Sequence, residues 1–166
     1  MVQPKSAPKP AITPCLGFNG DAEKAIAFYK SVFKESRVVD ETRWGEGGPV
    51  PKGTLLAATF ELAGQQFMAL NSGPQFHFSE AISLVAHCET QAEIDAYWEK
   101  LSAGGEPGQC GWLRDPFGVS WQVVPTALLE MLRDPDPARV GRVMTAMMAM
   151  TKLDLAKLKA AYAKPS

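Results

Sequence analysis

The sequence predicts an α+β protein made of two fused modules, each a strand, a helix and further strands, followed by a helical C-terminal extension. Three observations carry this prediction. Short runs of apolar residues, often alternating with polar ones, are punctuated by Gly, Pro, Asn and Asp, as half-buried strands require. The aromatic pairs Phe28-Tyr29 and Tyr97-Trp98 lie 69 positions apart, and so do the strand positions Pro14 and Ser83. A repeat of that length seen only twice reads as two modules rather than as solenoid units. From Thr126 onward the strand pattern stops and only helical spacing remains.

The elements follow in chain order. Residues 1–11 open the stretch MVQPKSAPKPAITP, which carries four Pro and no apolar middle, so they read as a disordered lead-in rather than a signal peptide. The first module spans 12–72. Ile12 to Phe18 alternates as a strand, Asn19-Gly20 breaks it, and Asp21 is an expected N-cap through its carboxylate. Ala22, Ile26, Tyr29 and Phe33 then recur at helical spacing. Ser36 to Arg43, Thr54 to Leu62 and Gln66 to Asn71 are strands, the last two joined at Ala63-Gly64-Gln65. Trp44 to Gly53, rich in Gly and Pro, is a flexible loop suited to a lid. The second module spans 81–125. Ile82 to Cys88 is a strand, Thr90-x-x-Glu93 is a capping box, and Ile94, Tyr97, Trp98 and Leu101 form the next apolar stripe before Gly104-Gly105. Asp115-Pro116-Phe117-Gly118 turns the chain into a final strand, Val119 to Val124. The extension spans 126–166. Asp136-Pro137 caps its main helix, with Val140, Val143, Met144 and Met147 as the apolar stripe, and Leu153, Leu155 and Leu158 open a last short helix.

Bulk properties exclude several function classes. A net charge of −1 without a basic block gives no electrostatic footprint for nucleic acid or an anionic membrane. No apolar run approaches the roughly 20 residues that span a bilayer. Cys15, Cys88 and Cys110 are odd in number and lack CxxC spacing, which suits free thiols and a cytoplasmic location.

The words ITPCLGF, FYKSVF, GQQFMALNSGP, AISLVAHCETQAEIDAYWEKL, CGWLRDPFGVSWQVVP and MTAMMAMTKLDLAKL resemble the PhnB-like branch of the vicinal oxygen chelate superfamily, the glyoxalase and bleomycin-resistance fold. The branch is often labelled a predicted 3-demethylubiquinone methyltransferase. The resemblance implies two fused βαβββ-type modules whose strands curl into an open, cup-shaped mixed sheet. Metal-dependent members of the superfamily place one His, Gln or Glu on each of four strands to hold a divalent ion. The matching positions here are Pro14, Ala69, Ser83 and Gln122. Pro and Ala have no ligating side-chain atom, and Ser and a neutral amide are poor ligands beside His and carboxylates. The expectation is therefore a cup with no metal and no cofactor.

Alternation along each strand extends those positions to an inward set. It comprises Pro14, Leu16 and Phe18; Phe67, Ala69 and Asn71; Ser83, Val85 and His87; and Ser120, Gln122 and Val124. The candidate ligand-binding residues are Leu16, Phe18, Phe67, Asn71, Ser83, Val85, His87, Ser120 and Gln122, with Leu84, Ala86, Trp121 and Val123 facing the helices. Asn71 and Gln122 either orient a ligand or bond each other. His87, with no carboxylate placed beside it, reads as a rim histidine rather than a general base. Cys15 is expected to point toward the helices as an inert thiol, and Trp112 and Trp121 to be structural. Gly17-Phe18-Asn19-Gly20 lacks the G-x-G-x-x-G spacing of a nucleotide cradle, so a cap and turn explain it.

Three function classes follow. The leading one is a metal-free protein that binds a small apolar or aromatic molecule in the cup. The second is an enzyme, either a metal-dependent lyase or isomerase or the methyltransferase of the branch's label. The third is an interaction module with a self-filled cup. The apolar residues of 126–162 also point to a homodimer that buries them.

Overall fold

A computed structural model describes residues 10–163. The chain divides into two compact units, one ending at His77 and the next beginning at Phe78. The lead-in expected at 1–11 falls almost wholly outside the described residues.

The first unit holds β1 (Cys15–Phe18), α1 (Ala22–Val32), β2 (Ser36–Arg43), β3 (Leu55–Leu62) and β4 (Gln65–Asn71). Its sheet is open and mixed, in the order β1-β4-β3-β2, with β1 parallel to β4 and the other pairs antiparallel. β3 and β4 are joined through Ala63 and Gly64, both at positive φ (45° and 82°), the pair of conformations a type I′ hairpin needs. The loop from Trp44 to Gly53 closes on itself, Gly53 N–H donating to the Trp44 carbonyl at 2.8 Å.

α1 packs its apolar face, Ala22, Ala25, Ile26, Tyr29 and Val32, on β3 and β4. Tyr29 stacks on Phe60, with ring centroids 6.4 Å apart, and Phe60 stacks on Phe67 at 5.6 Å. The Asp21 carboxylate makes no capping hydrogen bond. The cap comes from across the sheet: Asn71 Oδ1 accepts from Ala22 N–H at 3.1 Å, and Asn71 Nδ2 donates to the Leu55 carbonyl at 2.8 Å.

The second unit holds β5 (Leu84–Cys88), α2 (Gln91–Ser102), β6 (Glu106–Pro107), β7 (Trp112–Arg114), β8 (Ser120–Pro125), α3 (Thr126–Met131), α4 (Pro137–Met148) and α5 (Leu155–Ala163). Its open sheet runs β5-β8-β7-β6, again with one parallel pair, β5 with β8. The capping box at α2 is present: Glu93 N–H donates to Thr90 Oγ1 at 3.2 Å, and Thr90 N–H to Glu93 Oε2 at 3.1 Å. Asp136 caps α4 through Ala138 N–H at 2.9 Å, with Pro137 in the first turn.

The extension folds onto its own module. Val124, Leu128, Met131, Val143, Leu153 and Leu158 form one buried cluster, and Met147, Met150 and Tyr162 pack against it. Of the apolar tail residues from which a homodimer is expected, Leu128, Val143, Leu155 and Leu158 are buried within the chain. Leu129, Met144 and Met148 remain exposed.

The two modules differ by one residue at the first turn, and the difference decides which side chains face where. The buried positions of the two helices keep the offset of 69, Ala25 with Ile94 and Val32 with Leu101. The buried positions of the strands do not: Leu16 and Phe18 correspond to Ala86 and Cys88, an offset of 70. Asn19, Gly20 and Asp21 separate β1 from α1, whereas only Glu89 and Thr90 separate β5 from α2. Gly20 takes the extra step at φ 85°. Because strand side chains alternate, a shift of one residue exchanges the two faces of a strand.

Asn71→Ala leaves an amide of α1 and a carbonyl of β3 without their partners. The expected loss is about 1–3 kcal/mol in urea unfolding. A loss below a few tenths would mean that α1 does not depend on this cap.

Candidate functional site

The face of the second sheet turned away from α2 is the candidate site. α2 packs on β5 and β8, so Ala86, Cys88, Trp121 and Val123 form the core face and all are buried. The opposite face carries Ser83 and Val85 beside Gln122, and Trp112 and Arg114 from β7; past them His87 pairs with Val124, where the C-terminal extension covers the face and the site ends. Val85 is 43% exposed, Trp112 and Gln122 are half-buried, and Ser120 is buried on the same side. Gln122 Nε2 donates to Ser83 Oγ at 2.8 Å. Among the described residues the amide oxygen of Gln122 and the hydroxyl proton of Ser83 keep no other partner, so a hydrogen-bonding couple sits in the middle of this floor.

The Asp115 turn fixes the geometry of that floor. Asp115 is 2% exposed, yet its carboxylate is well satisfied. Oδ1 accepts from Phe117 N–H at 2.9 Å and Val119 N–H at 3.0 Å, and Oδ2 accepts from the Trp121 indole at 2.9 Å. Gly118, at φ 89°, completes the reversal. The bond to Trp121 fixes the register of β8, so Trp121 lies in the core and Gln122 on the open face. Asp115→Ala removes the acceptor from three donors, and at least about 3 kcal/mol of stability should go with it. Asp115→Asn should lose less. Urea unfolding followed by tryptophan fluorescence checks both, and equal losses would contradict the role of the second oxygen.

At the edge of the open face a cavity of about 140 Å³ is lined by Glu80, Glu106, Pro107, Gly108, Trp112, Leu113, Arg114 and Ser120. Arg114 bonds Glu80 and, at 3.2 Å, Glu106. That guanidinium holds the Glu80 carboxyl below the usual carboxylate range. A larger surface groove, about 540 Å³, lies away from this face between Gln91, Asp95, Lys152 and the start of α5. Two of its lysines pair within it, Lys152 with Asp95 at 2.6 Å and Lys157 with Asp154 at 3.7 Å.

In the second module Ser83, Val85, His87, Ser120 and Gln122 lie on the open side, as alternation predicts. In the first module the prediction is corrected. Leu16, Phe18, Phe67 and Asn71 face α1, since Phe67 joins the Tyr29–Phe60 stack, Asn71 caps the helix, and Leu16 and Phe18 pair with Ala69 and Asn71. The physical reason is the added turn residue at Gly20. The open face there carries Cys15, Met68 and Leu70 instead, with Met68 38% exposed and Cys15 also exposed rather than turned to the helix. Asn71 and Gln122 do not bond each other, and the described residues give exposed His87 no hydrogen-bond partner. Trp112 and Arg114 are the functional candidates the sequence reading missed. Trp112 is not a core residue, and the signal for it was the alternation Trp112-Leu113-Arg114 around a buried Leu113.

The divalent ion held by metal-dependent members of the superfamily does not fit these residues. Ala69 faces the helix, Ser83 and Gln122 bond each other, and among the described residues no three His, Cys, Asp or Glu gather to hold a metal. At the β1–α1 turn, where a nucleotide-sized methyl donor would need free helix amides, the first amide of α1 is already bonded to Asn71. Also among the described residues, no helix is long and apolar enough to cross a membrane.

Two repeated units, each an open mixed sheet of four strands with a crossover helix, define the glyoxalase and bleomycin-resistance fold. Residues 10–124 match the family described as 3-demethylubiquinone-9 3-methyltransferase, and the chain belongs to that family, in its PhnB-like branch. Among solved structures it is similar to the PhnB protein from Bacillus cereus, with 40% identity over 70% of this chain and 100% of that one and a TM-score of 0.66. A Pseudomonas aeruginosa protein shares the fold at 22% identity, over 70% and 98% of the two chains, with a TM-score of 0.58. The fosfomycin resistance protein FosX from Listeria monocytogenes, complexed with Mn(II) and sulfate, does so at 16% identity, over 76% and 98%, with a TM-score of 0.53. No curated protein matches the chain.

Cys88 supplies a check on the core face. Burial, and after it the carboxylates of Glu93 and Glu89, pushes its thiol up to about 12 from 9.0. A raised value means that the folded state holds the proton more tightly. The stabilisation is complete below pH 9 and is lost as pH rises toward 12. A thiol reagent at pH 8 should label Cys15 in the native protein and reach Cys88 only on unfolding. Equal labelling rates would contradict the assigned faces.

Proposed function

We propose that the chain is a small-molecule-binding protein that works without a metal and takes an apolar or aromatic ligand on the open face of the second sheet. One observation carries this reading. An exposed Val85 and a half-buried Trp112 flank the Gln122–Ser83 couple, giving apolar surface around one oriented pair of hydrogen-bonding groups. Ligand sites have this composition, with contact area from apolar groups and orientation from a few polar ones. Trp112 offers a ring face for stacking, and Arg114 with its two glutamates closes one side.

Size supports a small ligand. The cavity beside Trp112 has about 140 Å³. An apolar cavity on the order of 150 Å³ holds one benzene ring, whereas sites for drug-sized molecules start at roughly 300 Å³. A single ring is about the most that space admits, against Trp112, Leu113 and Pro107, with Glu80, Glu106 and Arg114 at its side. The methyltransferase in the family's description draws no support from the β1–α1 turn, whose first helix amide is taken by Asn71.

The test is a thermal-shift screen of monocyclic aromatic compounds and divalent ions on the full-length chain. A ring compound should raise the midpoint, and Trp112→Ala should weaken its binding about tenfold or more, the loss of one good aromatic contact. Gln122→Ala should lower affinity by a smaller factor. Elemental analysis that finds about one transition metal per chain, lost in Gln122→Ala, would overturn the metal-free part of the proposal.

A further inference from the structure

Trp112 follows directly from a turn that its own module does not hold alone. Cys110 and Gly111 both adopt left-handed backbone, at φ 58° and 82°. This conformation is costly for a residue with a Cβ, so something must hold Cys110 in it. The partners come from the C-terminal extension. Cys110 N–H donates to the Met150 carbonyl and Gly111 N–H to the Thr151 carbonyl, each at 2.7 Å. Gly111 is wedged as well: a Cβ there would meet the Val123 carbonyl at 2.7 Å and Leu153 Cδ1 at 3.1 Å. Both backbone groups of Trp112 are bound into the same turn, N–H to the Gln109 carbonyl at 3.0 Å and C=O from Gly108 N–H at 2.7 Å.

The extension is itself clamped at two points. Gln91, at the start of α2, donates to the Leu153 carbonyl at 3.2 Å and accepts from Leu155 N–H at 2.8 Å. At the far end of α5 the Tyr162 hydroxyl bonds Asp134, and Arg139 lies over the Tyr162 ring at 5.5 Å. The family match ends at residue 124, so everything from α3 to α5 lies beyond the matched region.

We propose that Met150–Leu153 is a brace that fixes the Gly108–Gly111 turn and, through it, sets Trp112 on the ligand-facing side of the sheet. The extension thereby becomes a positioning element for a site that it does not line. The consequence for ligand rests on the binding reading above; the brace itself does not.

Hydrogen exchange on the full-length chain tests the brace without any ligand, in Gln91→Ala and Tyr162→Phe, which loosen the two clamps. The amides of Cys110 and Gly111 should exchange about tenfold faster in each variant, as the loss of roughly one hydrogen bond's worth of local stability implies. The amides of Thr59 and Met68 in the first module should not change. In 5-fluorotryptophan-labelled protein the Trp112 resonance should move. Should Gln91→Ala not fold, Tyr162→Phe, which removes one hydroxyl, carries the test. Unchanged exchange at Cys110 and Gly111 in the folded variants overturns the brace. So does faster exchange with an unmoved Trp112 resonance. The consequence is read with phenol, a single ring with one hydroxyl, whose affinity should fall severalfold in both variants and in Trp112→Ala. A fall only in Trp112→Ala overturns the coupling to the site. No fall in Trp112→Ala, with exchange raised and the resonance moved, supports the brace and overturns the binding reading instead.

Discussion

The Asp115 carboxylate accepts hydrogen bonds from two turn amides and from the indole of Trp121, all inside a hairpin almost closed to water. The side chains of the second sheet depend on that triple contact. A buried carboxylate is tolerated only when its oxygens are occupied, so the turn must hold one shape. The same contact anchors the one large residue whose orientation sets the register of β8. With Trp121 in the core, Gln122 emerges on the open side and meets Ser83. Trp112 lies beside it on β7. The chemistry of the face is thus settled by a group that does not belong to it.

Much of this was legible in the chain. The DPFG turn, the capping box at Thr90, the cap at Asp136 and the two-module plan are written in local residue types whose physics is short-range. The first-module site was not legible in the same way. Its alternation was clear, but which alternate set faces the helix depends on how many residues the β1–α1 turn consumes. Asn19-Gly20-Asp21 absorbs one more than Glu89-Thr90. Helix spacing alone, which repeats at 69, conceals this. The asymmetry of Phe67 and Phe60 against Met68 shows only once Tyr29 is seen stacked on them. The α1 cap was hidden for a related reason, since Asn71 is remote in sequence from the helix that it caps. β6 and β7 escaped because two or three residues are too few to show a period.

The poor fit of a divalent ion to these residues has a structural basis wider than missing ligands. In the second module the two matching positions satisfy each other, Gln122 toward Ser83. In the first module Ala69 faces a packed core. A ligating side chain from β1 would also need a changed turn, because the present one aims Leu16 and Phe18 at α1. A single substitution to His at Ala69 would bury an imidazole in that core, where Ala69 is fully covered.

The extra glycine turn also limits how the molecule can be rebuilt. Averaging the two modules position by position, as one does to obtain an idealised half for symmetric duplication, would align helices with helices and strands one step out of phase. Polar residues such as His87 would then be merged with core residues such as Phe18. A duplicated half would have to keep one turn or the other whole, either the glycine step or the capping box, together with the strand that follows from it. The two halves are therefore not interchangeable parts, and a change of three backbone atoms' length at Gly20 is enough to make them so different.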